Sequence, residues 1–184
     1  MAAVLEENNF PVDIIDASAS DLEWEDLEIQ LKKSHPDIIT ITELTPTIEK
    51  ALETAKFSKK VCPNALIILG GYHPTFNYQE TLNNDFVNIV IRGEREYTIL
   101  DLVENIENDG DLNQVKGIAF DNVVTPEKEL ITDLDSLPYP ARHLLPMDKY
   151  KLLNMDTKIS ILITSRGCLQ CSVLFVPLLF YAWV

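Results

Sequence analysis

Short apolar runs alternating with amphipathic helical patterns constrain this chain more than any other feature. The runs are "VDIID" (residues 12–16), "DIITIT" (37–42), "ALIILGG" (65–71) and "FVNIVIRG" (86–93). Each is short, β-branched and bounded by turn residues, as a buried strand is. Between them the period changes to that of a helix. "MAAVLEENN" opens inside a helix, with Asn8 and Asn9 as left-handed C-cap candidates before Pro11. Ser20 and Glu23 make a capping-box pattern ahead of a helix with Trp24, Leu27 and Leu31 on one face. Thr45 and Pro46 supply an N-cap and a first-turn proline for a helix over 47–61, buried along Ile48, Ala51, Leu52 and Ala55. Residues 78–83 read as a short helix, and 96–108 as a helix with Ile99, Leu102, Val103 and Ile106 on one side and Gly110 at its end. Strict alternation of this kind predicts a parallel, doubly wound α/β sheet over residues 1–110, because each right-handed crossover covers one face.

The remainder is different in kind. "VKGIAF" and the segment up to Ile131 predict a small β-hairpin, and "LDSLPYPARHLLP" has three prolines that forbid regular structure, so 111–157 reads as hairpin plus extended connector. "KISILIT" (158–164) is a further strand, followed by "TSRGC", Cys171 and an apolar tail, which makes 158–184 a third unit. The tail run 173–184 is 12 residues long and contains Pro177, whereas a membrane-spanning helix needs roughly 20. With 29 acidic against 15 basic residues, a formal charge of −14, the chain repels nucleic-acid phosphates and anionic lipid. Three cysteines with no secretory signal argue for a reducing, cytoplasmic setting rather than a disulfide framework.

Open parallel sheets bind ligands outside the carboxyl ends of their strands. Three loops fall there: "TELTPT" (42–47), "GGYHPTF" (70–76) and "RGERE" (92–96). Gly70 and Gly71 either make a plain turn or remove two side chains so that a flat ligand reaches the backbone. Thr42, Thr45 and Thr75 offer hydroxyls, to a ligand or to helix ends. His73 is a ligand-facing imidazole or an ordinary loop residue. Arg92 and Glu94 either position a ligand or pair with each other, and Glu96 begins a helix where negative charge is favoured.

The order "DIITIT", "LGGYHPT", "VIRGERE" and "ITDLDSLPYPARHLLP", then a strand and "TSRGC", resembles the cobalamin-binding radical S-adenosylmethionine proteins. Anaerobic magnesium-protoporphyrin ester cyclases and B12-dependent radical methyltransferases belong to that group. The resemblance covers residues 1–171. It implies a flavodoxin-like domain that carries the corrinoid, then a connector leading to a barrel that cleaves S-adenosylmethionine. It implies cobalamin contacts at Thr42, Thr45, Gly70, Gly71, His73, Thr75, Arg92, Gly93, Glu94 and Glu96. Arg95 departs from the glycine usual in the family's "RGEGE" and puts a bulky cation on the rim.

Two pieces of the family pattern are missing. The strand and loop that precede the opening helix are absent, so the sheet is expected to consist of strands near residues 12, 37, 65 and 87, with the first paired to 37–42 or weakly placed. The D-x-H-x-x-G motif that supplies a lower axial histidine in some cobalamin domains is absent as well. The family binds its [4Fe–4S] cluster through C-x3-C-x2-C, whereas Cys168 and Cys171 stand as C-x2-C, two thiolates where three are needed. Zinc requires two further ligands, and a redox dithiol requires a helix N-terminus. Cys168 and Cys171 therefore read as an incomplete cluster-loop remnant, and the tail beyond them as a frame cut short or shifted. The expected function is a corrinoid-binding domain, non-catalytic alone. Methyl transfer or oxidative cyclisation with the family's [4Fe–4S] cluster and S-adenosylmethionine is the alternative, as is a flavodoxin-like regulatory or nucleotide-binding module. The sequence names no partner chain.

Overall fold

A computed structural model describes residues 1–150 together with Ser165 and Arg166. The apolar runs at 37–42, 65–71 and 86–93 form three parallel strands, β1 (Ile38–Glu43), β2 (Leu66–Gly71) and β3 (Ile89–Ile91). Their register pairs Ile38 with Leu66, Glu43 with Gly71, and Ile68 with Ile89. The expected hairpin forms as β4 (Ile118–Phe120) and β5 (Val123–Val124). It extends the same sheet: β4 runs antiparallel beside β3, with Val90 opposite Ala119, giving the order β1-β2-β3-β4-β5.

Helices cover both faces because successive strand residues point to opposite sides. Ile68, Ile89 and Ile91 pack with Ile99 and Leu102 of α6 (Glu96–Glu107), and Met1 with Leu5 of the opening helix α1 (Ala2–Glu7) completes that layer. Ile67, Leu69 and Val90 face α3 (Ile48–Val61) through Ala55 and Leu52, and α5 (Tyr78–Leu82) through its two terminal residues. Each fully buried Ile or Leu contributes on the order of 1.5–3 kcal/mol of transfer free energy, so β2, buried on both faces, is the centre of the fold.

Residues 12–16 correct the expected strand. They form no regular element and pair with no strand, and β1 has no neighbour on its outer side among the described residues. Val12, Ile14 and Ile15 are only half-buried, so the apolar run reports partial cover rather than a place in the ladder. Its end is held by Asp16, whose carboxylate accepts from Ala19 N–H at 2.8 Å and from the Tyr150 hydroxyl at 2.5 Å. The capping box of α2 (Trp24–Ser34) lies three residues later than expected: Asp26 accepts from Glu23 N–H at 3.2 Å. Leu27 and Leu31 are its buried stripe, and Trp24 meets Phe57 of α3 with ring centroids 4.8 Å apart. The connector returns to the N-terminal elements through His143 on Glu6 (2.9 Å) and Tyr150 on Asp16. Residues 151–164 and 167–184, with Cys168, Cys171 and the strand expected at 158–164, lie outside the described residues.

Candidate ligand rim

The carboxyl ends of β1, β2 and β3 bring the three loops together, as parallel topology requires. At the first, Thr42 and Glu43 close β1, and Thr45–Thr47 form a 3₁₀ turn with Pro46 in its opening positions. The capping hydroxyl is that of Thr47, which accepts from Leu44 N–H at 3.1 Å, not that of Thr45, which stays exposed at the rim.

The second loop is not irregular. β2 runs through Gly71 and α4 (Tyr72–Phe76) begins at once. The two glycines do different work. Gly71 has φ +148°, and a Cβ there stands 2.0 Å from the Glu43 carbonyl oxygen, so only glycine fits the β1–β2 contact. Gly70 leaves a depression that Arg95 fills: a Cβ on Gly70 stands 3.1 Å from Arg95 Cδ, and Arg95 Nη1 donates to Thr42 Oγ1 at 2.5 Å. Arg95 thus straps across the rim from the third loop to the first.

Thr75 joins the second and third loops. Its hydroxyl donates to the Gly71 carbonyl at 2.6 Å and accepts from Gly93 N–H at 3.2 Å, and Gly93 takes φ +80°. Arg92 is turned away from the rim. It donates to the Thr125 carbonyl at 3.4 Å, lies 3.7 Å from Glu127, and stacks 5.0 Å from the Tyr78 ring centroid. Glu94 does not pair with Arg92; its Oε2 accepts from Ile131 N–H at 2.6 Å and its Oε1 from Arg166 at 3.0 Å. Glu96 accepts from Arg166 at 2.5 Å. Burial alone would raise the Glu96 pKa; the Arg166 bond and charge, with the amino terminus, outweigh it and hold the carboxyl below its ordinary value.

Two polar side chains at this edge are buried without a hydrogen-bond partner among the described residues. His73, on α4, is 8% exposed and neither ring nitrogen is bonded. Glu43 is 2% exposed with both carboxylate oxygens unbonded, and burial pushes its pKa to about 7. Sequence reasoning passed over Glu43, although the signal was present: it continues the face of Ile39 and Ile41 at strand period, so its burial follows from their pattern. Arg166 was also missed, because its two carboxylate partners lie some seventy positions away in sequence. No group of three metal-ligating side chains occurs among the described residues, and no helix among them is long and apolar enough to cross a membrane. An open groove beside Asp101, Glu104, Asn105 and Gly110 lies at the far end of α6 from the rim.

A mostly parallel sheet covered by helices, with paired glycines and hydroxyls at the carboxyl ends of its parallel strands, defines a flavodoxin-like α/β domain. Residues 1–103 match the B12 binding domain family, and the chain belongs to that family. An uncharacterized methyltransferase of Pyrococcus horikoshii is 35% identical over 85% of this chain and 35% of its own length. The anaerobic magnesium-protoporphyrin IX monomethyl ester cyclase of Rubrivivax gelatinosus is 33% identical over 84% of this chain and 29% of its own. The chain thus spans about a third of the length of the curated relatives it matches. Among solved structures, the cobalamin-dependent S-adenosylmethionine radical enzyme OxsB shares the fold with a TM-score of 0.65 at 22% identity, over 78% of this chain and 21% of that one. The radical S-adenosylmethionine methyltransferase TsrM of Kitasatospora setae, with cobalamin and a [4Fe–4S] cluster bound, gives 0.59 at 15% identity, over 73% and 26%.

Proposed function

We propose that this chain binds cobalamin at the rim formed by β1, β2 and β3, as the corrinoid-carrying part of a radical S-adenosylmethionine enzyme. The observation that supports this best is the pair of buried polar groups at the rim, Glu43 and His73, that no described protein group satisfies, next to a Gly70 depression filled by the flexible Arg95 side chain. Buried polar groups are normally hydrogen-bonded, and a corrinoid edged with amides offers both donors and acceptors. Such a cradle fits the cofactor of the family. Bound cobalamin supplies a cobalt centre suited to methyl transfer or to electron exchange. Thr42 and Thr45 are exposed at the rim, Gly70 lies under the Arg95 side chain, Glu43 and His73 are the buried polar groups, and Gly71, Thr75 and Gly93 hold the loops at their spacing. Arg92, Glu94 and Glu96 fasten the rim from behind.

The proposal extends to the whole protein only as a class: methyl transfer or oxidative cyclisation, on a substrate that this stretch does not specify. Residues 1–150 carry the cofactor without turning it over, and Cys168 with Cys171 supplies fewer thiolates than a S-adenosylmethionine-binding cluster uses.

Purified chain is mixed with hydroxocobalamin, desalted and scanned in the visible. A retained corrinoid band at near one equivalent is expected, and it should be lost in Gly70→Leu with the fold preserved by circular dichroism. A wild-type protein that retains no corrinoid overturns the proposal.

A further inference from the structure

Arg166 stands two residues before Cys168 in the sequence, and its guanidinium reaches two carboxylates of the third rim loop. Nη1 donates to Glu94 at 3.0 Å and Nη2 to Glu96 at 2.5 Å. Neither acid is a free surface group, since their side chains are 13% and 21% exposed, with Arg166 itself at 36%. Two half-buried carboxylates two residues apart repel each other unless a cation lies between them. An arginine fork can serve both at once, which a lysine cannot. Glu94 has a second engagement: its other oxygen takes Ile131 N–H from the segment after the hairpin, at 2.6 Å. Its neighbour Gly93 is tied to Thr75, and through it to Gly71.

We infer that Arg166 is a positioning residue, which fastens the chain at residues 165–166 onto the rim through Glu94 and Glu96. Glu94 is the shared anchor for that segment and for the connector at Ile131. The two acids of "RGERE" therefore act as a mount for Arg166, not as ligand contacts. This goes beyond the cobalamin reading and rests on it only for what occupies the rim. A displacement of the third loop therefore acts on Arg166 through these two ion pairs.

The test uses the full chain and backbone hydrogen exchange read by mass spectrometry, with Arg166→Met, Arg166→Lys and Glu96→Gln. Removing the guanidinium should raise exchange about tenfold at residues 92–97 and at Ile131 while leaving the β2 core unchanged, because local opening is governed by local contacts. Arg166→Lys should fall between, and Glu96→Gln in the Arg166→Met background should add little, since the pair is already broken. Unchanged exchange at 92–97 and 131 in Arg166→Met overturns the inference, as does an equal rise through β1, β2 and β3. Hydroxocobalamin retention is scored separately on the wild type. Its absence sinks the cobalamin reading and leaves the exchange result to decide this one.

Discussion

Substituting Gly71 by alanine should cost the fold far more than substituting Gly70, although the two glycines are adjacent. Gly71 has φ +148° and ψ −171°, a region in which residues with a side chain are strained by about 1–3 kcal/mol. Its new Cβ would also stand 2.0 Å from the Glu43 oxygen and 3.0 Å from the Glu43 carbon and nitrogen, all backbone atoms that cannot rotate aside. The end of β1 must therefore lift from β2 at the Glu43–Gly71 pair, forfeiting a ladder bond worth about 1 kcal/mol. Strain and lost pairing together come to roughly 3 kcal/mol, or a fall of about 6–12 °C in Tm for a chain of this size. At Gly70 the new Cβ meets Arg95 Cδ at 3.1 Å, near the end of a flexible side chain, so the cost should stay within about 1 kcal/mol. Urea unfolding followed by circular dichroism measures both. If Gly71→Ala proves as stable as Gly70→Ala, the assignment of Gly71 to the β1–β2 contact is wrong.

Glu43 titrates near 4.5 when unfolded and near 7 when folded, burial being the cause. Between those values the folded chain holds a proton that the unfolded chain has lost, so stability falls as pH rises from 4.5 to 7, by up to about 3 kcal/mol. Glu43→Gln should flatten that slope in urea titrations at pH 5, 6 and 7.5. Arg95→Gly releases Thr42 and uncovers Gly70, so hydroxocobalamin should bind several-fold more tightly by visible titration; weaker binding would instead mark Arg95 as a ligand contact. Thr75→Val breaks both bonds of one hydroxyl and should destabilise the chain by about 1–2 kcal/mol in the same unfolding assay, and an unchanged midpoint would remove Thr75 from the account.

The central elements were legible because they are locally written. "ALIILGG" is apolar at every position until its glycines, and Ile99, Leu102, Val103 and Ile106 recur at helical period, so β2 and α6 follow from pattern alone. Residues 12–16 carry the same apolar signal as a strand, yet pairing depends on what lies alongside, and nothing local to "VDIID" encodes a partner. The hairpin was visible from its own residues, whereas its docking against β3 through Val90 and Ala119 is a long-range contact that no window contains. At the rim the glycines and threonines could be placed by topology. The directions of Arg92, Glu94 and Glu96 could not, since each is decided by a distant group: Thr125, Ile131 or Arg166.

The Thr75 hydroxyl touches two loops with one oxygen, donating to the Gly71 carbonyl and accepting from the Gly93 N–H. A guest that lifts either loop strains the bond to the other. The second and third loops consequently move together, and hydroxocobalamin uptake should follow a single exponential rather than a sequence of separable steps.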